Sequence, residues 1–168
     1  MFPNSLLSIN NLRGNPNVPH MIILAGPNGA GKTTAAPAIL KDSLQVDDYV
    51  NADVIAQGIC GFQPEKAAIQ AGRVMLKRIH TLSSINANFA FETTLASRSF
   101  ANWIPNLKQN GYRFHLIYLW LKSEALAVSR VKERVAMGGH TVPEKTIRRR
   151  YHAGLINFFS LYQPLANS

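Results

Sequence analysis

Apolar positions along the chain fall into two regimes: short unbroken runs, and longer stretches in which they return at helical spacing. The runs predict strands. Met21–Ala25 (MIILA) and Arg113–Leu121 (RFHLIYLWL) have the continuous hydrophobicity of strands covered on both faces, and Asn88–Phe91 is a shorter run of the same kind. Val46–Asn51 is a poor strand by composition, but it falls where a βαβ unit returns to the sheet. Between the runs lie the helical stretches. Thr33–Lys41 reads as helix despite Pro37; Pro64 to about Ser83 carries Ala67, Ala71, Met75 and Ile79 on a core-facing stripe. Arg98–Gln109 closes at Asn110-Gly111, with a kink or break expected at Pro105. Ser123-Glu124 opens a helix to about Met137, Gly138-Gly139 ends it, His140–Pro143 is a loop, and Glu144 to about Phe158 is helix again. Residues 1–20 read as an irregular arm, partly helical near Leu6–Ile9, and Phe159–Ser168 holds no run able to make a strong strand.

Alternating strands and helices predict a parallel sheet covered on both faces, with ligands at the carboxyl ends of its strands. At the end of the first strand stands Gly26-Pro27-Asn28-Gly29-Ala30-Gly31-Lys32-Thr33, followed by Thr34, which meets the G-x-x-x-x-G-K-[ST] phosphate-loop template at every fixed position. Its place between strand and helix supplies the structural context that the template requires, against the competing reading of a glycine-rich turn with a chance lysine. Glycines let backbone N–H groups turn inward around phosphates, and the helix N-terminus adds partial positive charge. Lys32 is positioned to reach the β- and γ-phosphates of ATP, and Thr33 to hold Mg²⁺. The fold expected is a three-layer α/β/α P-loop NTPase domain over residues 1–168. Its sheet is mainly parallel in the kinase-like order 2-3-1-4-5, the last strand possibly missing, and a basic helical lid spans about residues 130–152.

A single cysteine, Cys60, excludes an internal disulfide and a cysteine metal cluster. With no signal-peptide pattern and no apolar stretch of membrane-spanning length, the expectation is a cytoplasmic protein without a membrane partner. The formal net charge of +9 changes the picture more, since it suits nucleic acid, an acidic protein or an anionic substrate. Position helps to choose: Arg130, Lys132, Arg134, Lys145, Arg148, Arg149 and Arg150 cluster in the lid against Glu133 and Glu144, where arginines serve phosphoryl transfer. A solvated basic face is the alternative for about half of them.

Two further sites lie at predicted strand ends: Asp53 after the second strand, and Glu92-Thr93-Thr94 after the third. His115 is expected in packing rather than on a metal. No Asn-Lys-x-Asp or Leu-Ser-Gly-Gly-Gln string occurs, and no strand ends in the apolar run and aspartate of a Walker B. Those absences point away from GTPases and transport ATPases and toward small-molecule kinases.

Four ordered motifs, namely the phosphate loop, NADVIA at Asn51–Ala56, FETTLA at Phe91–Ala96 and RVKERVAMGGHTVPEKTIRRRY at Arg130–Tyr151, resemble the zeta toxin family of P-loop kinases, in its compact bacterial branch. The resemblance covers about Met21–Leu165. It implies ATP-dependent phosphorylation of UDP-N-acetylglucosamine or a similar nucleotide sugar, and an antitoxin partner. It places the general base on Asp53, with a cap or turn residue as the competing account. It places acceptor binding on Glu92 and Thr94, against a structural salt bridge or cap. The first lid arginine falls on Arg134 or Arg130, Arg134 being nearer the hinge. At the second arginine position stands His140, with Arg148 and Arg149 nearby: either His140 meets phosphate while one of these supplies charge, or it is a polar loop residue. Two alternatives remain. A nucleic-acid end kinase suits the charge but lacks aromatic residues among the basic ones; a nucleotide-binding regulatory module suits the apparently short C-terminus.

Overall fold

The computed structural model describes residues 18–168, and the helical turn expected near Leu6–Ile9 lies outside them. In chain order come β1 (His20–Ala25), α1 (Lys32–Ala36), β2 (Asp48–Val50), α2 (Ala52–Ile59), α3 (Ala68–Ser84) and β3 (Phe89–Thr93). Then follow α4 (Ser99–Gln109), β4 (Arg113–Tyr118), α5 (Glu124–Ala136) and α6 (Glu144–Asn157). Among the described residues all pairings are parallel and the order is β2-β3-β1-β4, the expected order without a fifth strand. Where that strand would begin, Asn167 N–H donates to Phe114 O (2.7 Å) and Leu116 N–H donates to Ser168 O (3.0 Å).

Every residue of β1 is buried, which is why its run holds no exposed polar position. Met21 and Ile23 point to one face with Phe89, Phe91 and Phe114, against Met75 and Ile79 of α3 and Ile104 of α4. Ile22 and Leu24 point to the other, against Ala36 of α1 and Leu40. These are the three layers of a P-loop kinase fold.

Four local departures from expectation have physical causes. Pro37 has no N–H to donate, and from it the first helix widens into π turns over Pro37–Ser43. The second strand is shorter than Val46–Asn51 because Asn51 leaves it to cap α2, its side chain accepting from the N–H groups of Asp53 (2.8 Å) and Val54 (3.4 Å). The helix predicted from Pro64 begins as a 3₁₀ turn, Pro64–Ala67, before α3. α4 runs through Pro105 without a break.

The basic segment is a helical hairpin with its own core, in which Ala127, Val128 and Val131 of α5 meet Ile147 and Tyr151 of α6. The far half of α6 is fixed to the sheet. Tyr151 donates to Leu121 O (2.8 Å), Asn157 donates to Leu95 O (2.8 Å), and Gly154 lies so close that a Cβ there would strike the Thr94 carbonyl oxygen. At the opposite end of the sheet, His115 is packed as expected. Its Nε2 lies 2.9 Å from His20 Nδ1 and its Nδ1 2.6 Å from Ser168 Oγ. Burial, with His20 and Arg113 beside it, pushes the His115 imidazole down to about 4.

Candidate active site

The phosphate loop is held by its backbone. Gly31 caps α1 in a left-handed conformation (φ 79°) that disfavours a side chain, and nothing stands within 4 Å of where its Cβ would be. That leaves the N-terminus of α1 open to an anion. Lys32 is 6% exposed and its ammonium donates to the carbonyls of Gly26 (2.9 Å) and Pro27 (3.0 Å), with Glu92 Oε1 at 3.7 Å. Burial lowers its pKa, opposed by the charges of Glu92 and Asp53. Asn28 is buried beside it with Oδ1 unpartnered; a flip of this amide would present its NH₂ to a phosphate.

Glu92 is the hub of the polar cluster. Its Oε2 accepts from Tyr49 OH (2.6 Å), Asn51 Nδ2 (2.9 Å) and Thr33 Oγ1 (3.0 Å). β3 pairs directly with β1, in register Leu24 with Glu92, so the apolar run Phe89-Ala90-Phe91 ends in an acid beside the phosphate-loop hydroxyl. This is the place of a Walker B carboxylate. Sequence reading looked there for an aspartate and passed over a glutamate. The hydroxyl of Thr33 and the carboxylate of Glu92 are hard oxygen donors in contact, a set that fits Mg²⁺. Glu92 thus touches the phosphate-loop residues Thr33 and Lys32 as well as Tyr49 and Asn51.

Asp53 projects from the first turn of α2, its backbone held by the Asn51 cap. His140 Nε2 approaches Asp53 Oδ2 at 3.6 Å, and Arg134 reaches back to His140, donating to its carbonyl at 3.0 Å. Arg134, His140 and Asp53 therefore converge. A cleft of about 190 Å³ is lined by Asn28, Lys32, Asp53, Glu92, Thr94 and Arg150. A second of about 350 Å³, lined by Ala52, Ala56, Pro64, His140, Val142 and others, shares Asp53 and Arg150 with it. Arg150 lies where both meet. Its pKa is drawn down by burial and held up by Asp53.

Arg148 stands elsewhere. It donates to Glu144 (2.7 Å) and Glu124 (2.7 Å) and lines neither cleft, so the arginine brought to the site is Arg150. Arg130 is exposed on α5 with its Cβ beside Gly29, and Arg149 is exposed. Asn51, Tyr49 and Arg150 are the site residues that sequence reading missed. Helical spacing could have found Arg150, since it follows Thr146 by one turn on the face next to buried Ile147 and Tyr151. An Asn directly before Ala-Asp carried the cap signal.

Comparisons with known proteins bear on the fold and the family. An uncharacterized protein of Haemophilus influenzae is 32% identical over 130 residues, 77% of this chain and 91% of that one. Among solved structures, AvrRxo1-ORF1:-ORF2 with ATP superposes with a TM-score of 0.72 (17% identity; 95% of this chain, 57% of that one). The PezAT chromosomal toxin–antitoxin system of Streptococcus pneumoniae gives 0.65 (18%; 99% and 77%). The Pnkp1/Rnl/Hen1 RNA repair complex gives 0.66 (18%; 89% and 48%), so this chain spans about half of that one. At such identities these likenesses bear on the fold, and they agree on a P-loop kinase-like one, a fold that implies nucleotide binding. The AAA domain model AAA_33 matches residues 21–152, from the first residues of β1 to just past Arg150, and the chain belongs to that family.

Proposed function

We propose that the protein is a Mg²⁺- and ATP-dependent kinase that transfers the γ-phosphoryl group to a hydroxyl of a small acceptor, a nucleotide sugar of the UDP-N-acetylglucosamine type. The observation that carries this reading is the pair of adjoining clefts with Asp53 and Arg150 at their junction, one reaching Lys32 and Glu92, the other bounded by the His140 loop. Bound ATP would supply the activated phosphoryl group, and Mg²⁺, which Thr33 and Glu92 would hold, would supply charge neutralisation. The chain's own residues do the rest. Lys32 moves from the loop carbonyls to phosphate oxygens, Asp53 orients the acceptor hydroxyl and takes its proton, and Arg150 and Arg134 offset the charge spreading over the phosphoryl oxygens. His140 fixes the Asp53 carboxylate. The second cleft has the size of a small molecule, which favours a free metabolite over a polymer end. The two-component assemblies among the structural neighbours support a partner protein, and the toxin–antitoxin system among them supports an antitoxin in that role.

The test is ADP release with UDP-N-acetylglucosamine, together with a phosphate-sized mass gain on the sugar nucleotide. Lys32→Ala is expected to abolish nucleotide binding, and Asp53→Asn to spare binding while lowering transfer about 100-fold or more. Turnover unchanged in Asp53→Asn would remove Asp53 from the role of base.

A further inference from the structure

In-line phosphoryl transfer sets the leaving diphosphate on the side of the phosphorus opposite the acceptor. Asp53, His140 and Arg150 fix the acceptor side, toward α2 and the end of β3. The nucleoside therefore leaves the phosphate loop over its other flank, toward β4 and α5. That flank is closely built. A Cβ at Gly26 would strike the Leu119 carbonyl, and one at Gly29 would lie 3.0 Å from both Ala127 O and the Cβ of Arg130. Leu119 also donates its N–H to Ala25 O at 2.8 Å, which locks the end of β4 to the start of the loop.

The next residue is Trp120, and it is 66% exposed. Among the described residues no strand lies beyond β4, and the hydrogen bonds of Asn167 and Ser168 reach only Phe114, His115 and Leu116. The chain's other tryptophan, Trp103, packs on Phe89 and His80 within the α3–α4 layer. An indole left open at the carboxyl edge of the sheet, one residue beyond the Leu119 that abuts Gly26, has the chemistry of a base-stacking face. Arg130, exposed on α5 and without an ion pair among the described residues, offers a cation beside the same loop.

We propose that Trp120 is the platform on which the base of the donor nucleotide stacks, and that the site takes purine nucleoside triphosphates with little discrimination between adenine and guanine. This rests on the kinase reading above. Stacking meets a π face that every purine has, whereas telling adenine from guanine requires hydrogen bonds to the base edge.

Trp103→Phe leaves Trp120 as the sole tryptophan. In that background MgATP and MgGTP are expected to quench Trp120 emission to a similar degree, while inorganic tripolyphosphate binds without the quench. By calorimetry, with Trp103 intact, Trp120→Ala is expected to weaken ATP about 5- to 150-fold and to leave tripolyphosphate unchanged. ATP binding that Trp120→Ala leaves within twofold, or an equal loss for tripolyphosphate, overturns the platform and leaves the kinase reading standing. A preference beyond 100-fold for one purine overturns the lack of discrimination. Absence of any nucleotide binding in the unaltered protein overturns the kinase reading, and the platform with it.

Discussion

Acidification is expected to destabilise the fold from the end of the sheet that carries no chemistry. His20 Nδ1 and His115 Nε2 face each other at 2.9 Å, and His115 Nδ1 is engaged by Ser168 Oγ at 2.6 Å. Two facing ring nitrogens share one proton; a second sets N–H against N–H, with the Arg113 charge close by. The His115 imidazole sits at about 4 in the folded chain against its ordinary 6.5. Because the folded value is the lower, the unfolded chain takes up protons first as pH falls through this window. The contribution is therefore complete above pH 6.5 and is lost below it: about 2 kcal/mol by pH 5 and about 3 kcal/mol by pH 4. With a urea m-value of about 2 kcal/mol/M, the unfolding midpoint drops by about 1 M between pH 7.5 and pH 5. Other groups titrate in the same range, so the quantity to read is the difference between the native protein and His115→Gln. That variant keeps a polar partner for Ser168 and removes the titration, and its midpoint is expected to fall less by the stated amount. Equal pH dependence in the two proteins would refute the reasoning.

Arg150→Ala is expected to lower phosphoryl transfer by about 100-fold or more with ATP affinity nearly unchanged, whereas Arg148→Ala, which only releases Glu124 and Glu144, changes kcat little. Steady-state kinetics of the two variants side by side would reveal the reverse pattern. Gly154→Ala drives a Cβ into the Thr94 carbonyl, a backbone group that cannot turn aside. Overpacking of about 1–3 kcal/mol exceeds the helix-propensity gain of about 1 kcal/mol, so a lowered melting temperature is expected, and kcat falls because Arg150 rides on the same helix. Asn51→Ala removes the α2 cap and one donor to Glu92, for about 1 kcal/mol in urea unfolding and a weaker response to Mg²⁺.

How much the sequence discloses depends on the range of each interaction. The phosphate loop was legible because strand, glycines, lysine and helix are contiguous, and three of the strands because β1 is buried throughout and β3 and β4 are short, largely apolar runs paired to it. Arg134, His140 and Asp53 could be grouped only through the motif resemblance, since their meeting depends on how the hairpin folds over α2. Residues two apart on one helix point about 160° apart, so Arg148 and Arg150 face nearly opposite ways, and the packing of Ile147 and Tyr151 decides which of them meets the clefts. Glu92 was placed at the right strand end, but its contact with Thr33 was not legible, because the pairing of β3 with β1 is a long-range contact.

Pinning α6 at Gly154 makes the helix a lever with unequal arms. Glu144, at its start, lies ten residues from that point, about 15 Å of helix, and Arg150 lies four residues away, about 6 Å. Any tilt about the pin sweeps the wall of the larger cleft about 2.5 times as far as it moves the arginine. A tilt can therefore widen the larger cleft at Pro143 and Thr146 while Arg150 stays nearly in register with the phosphate loop.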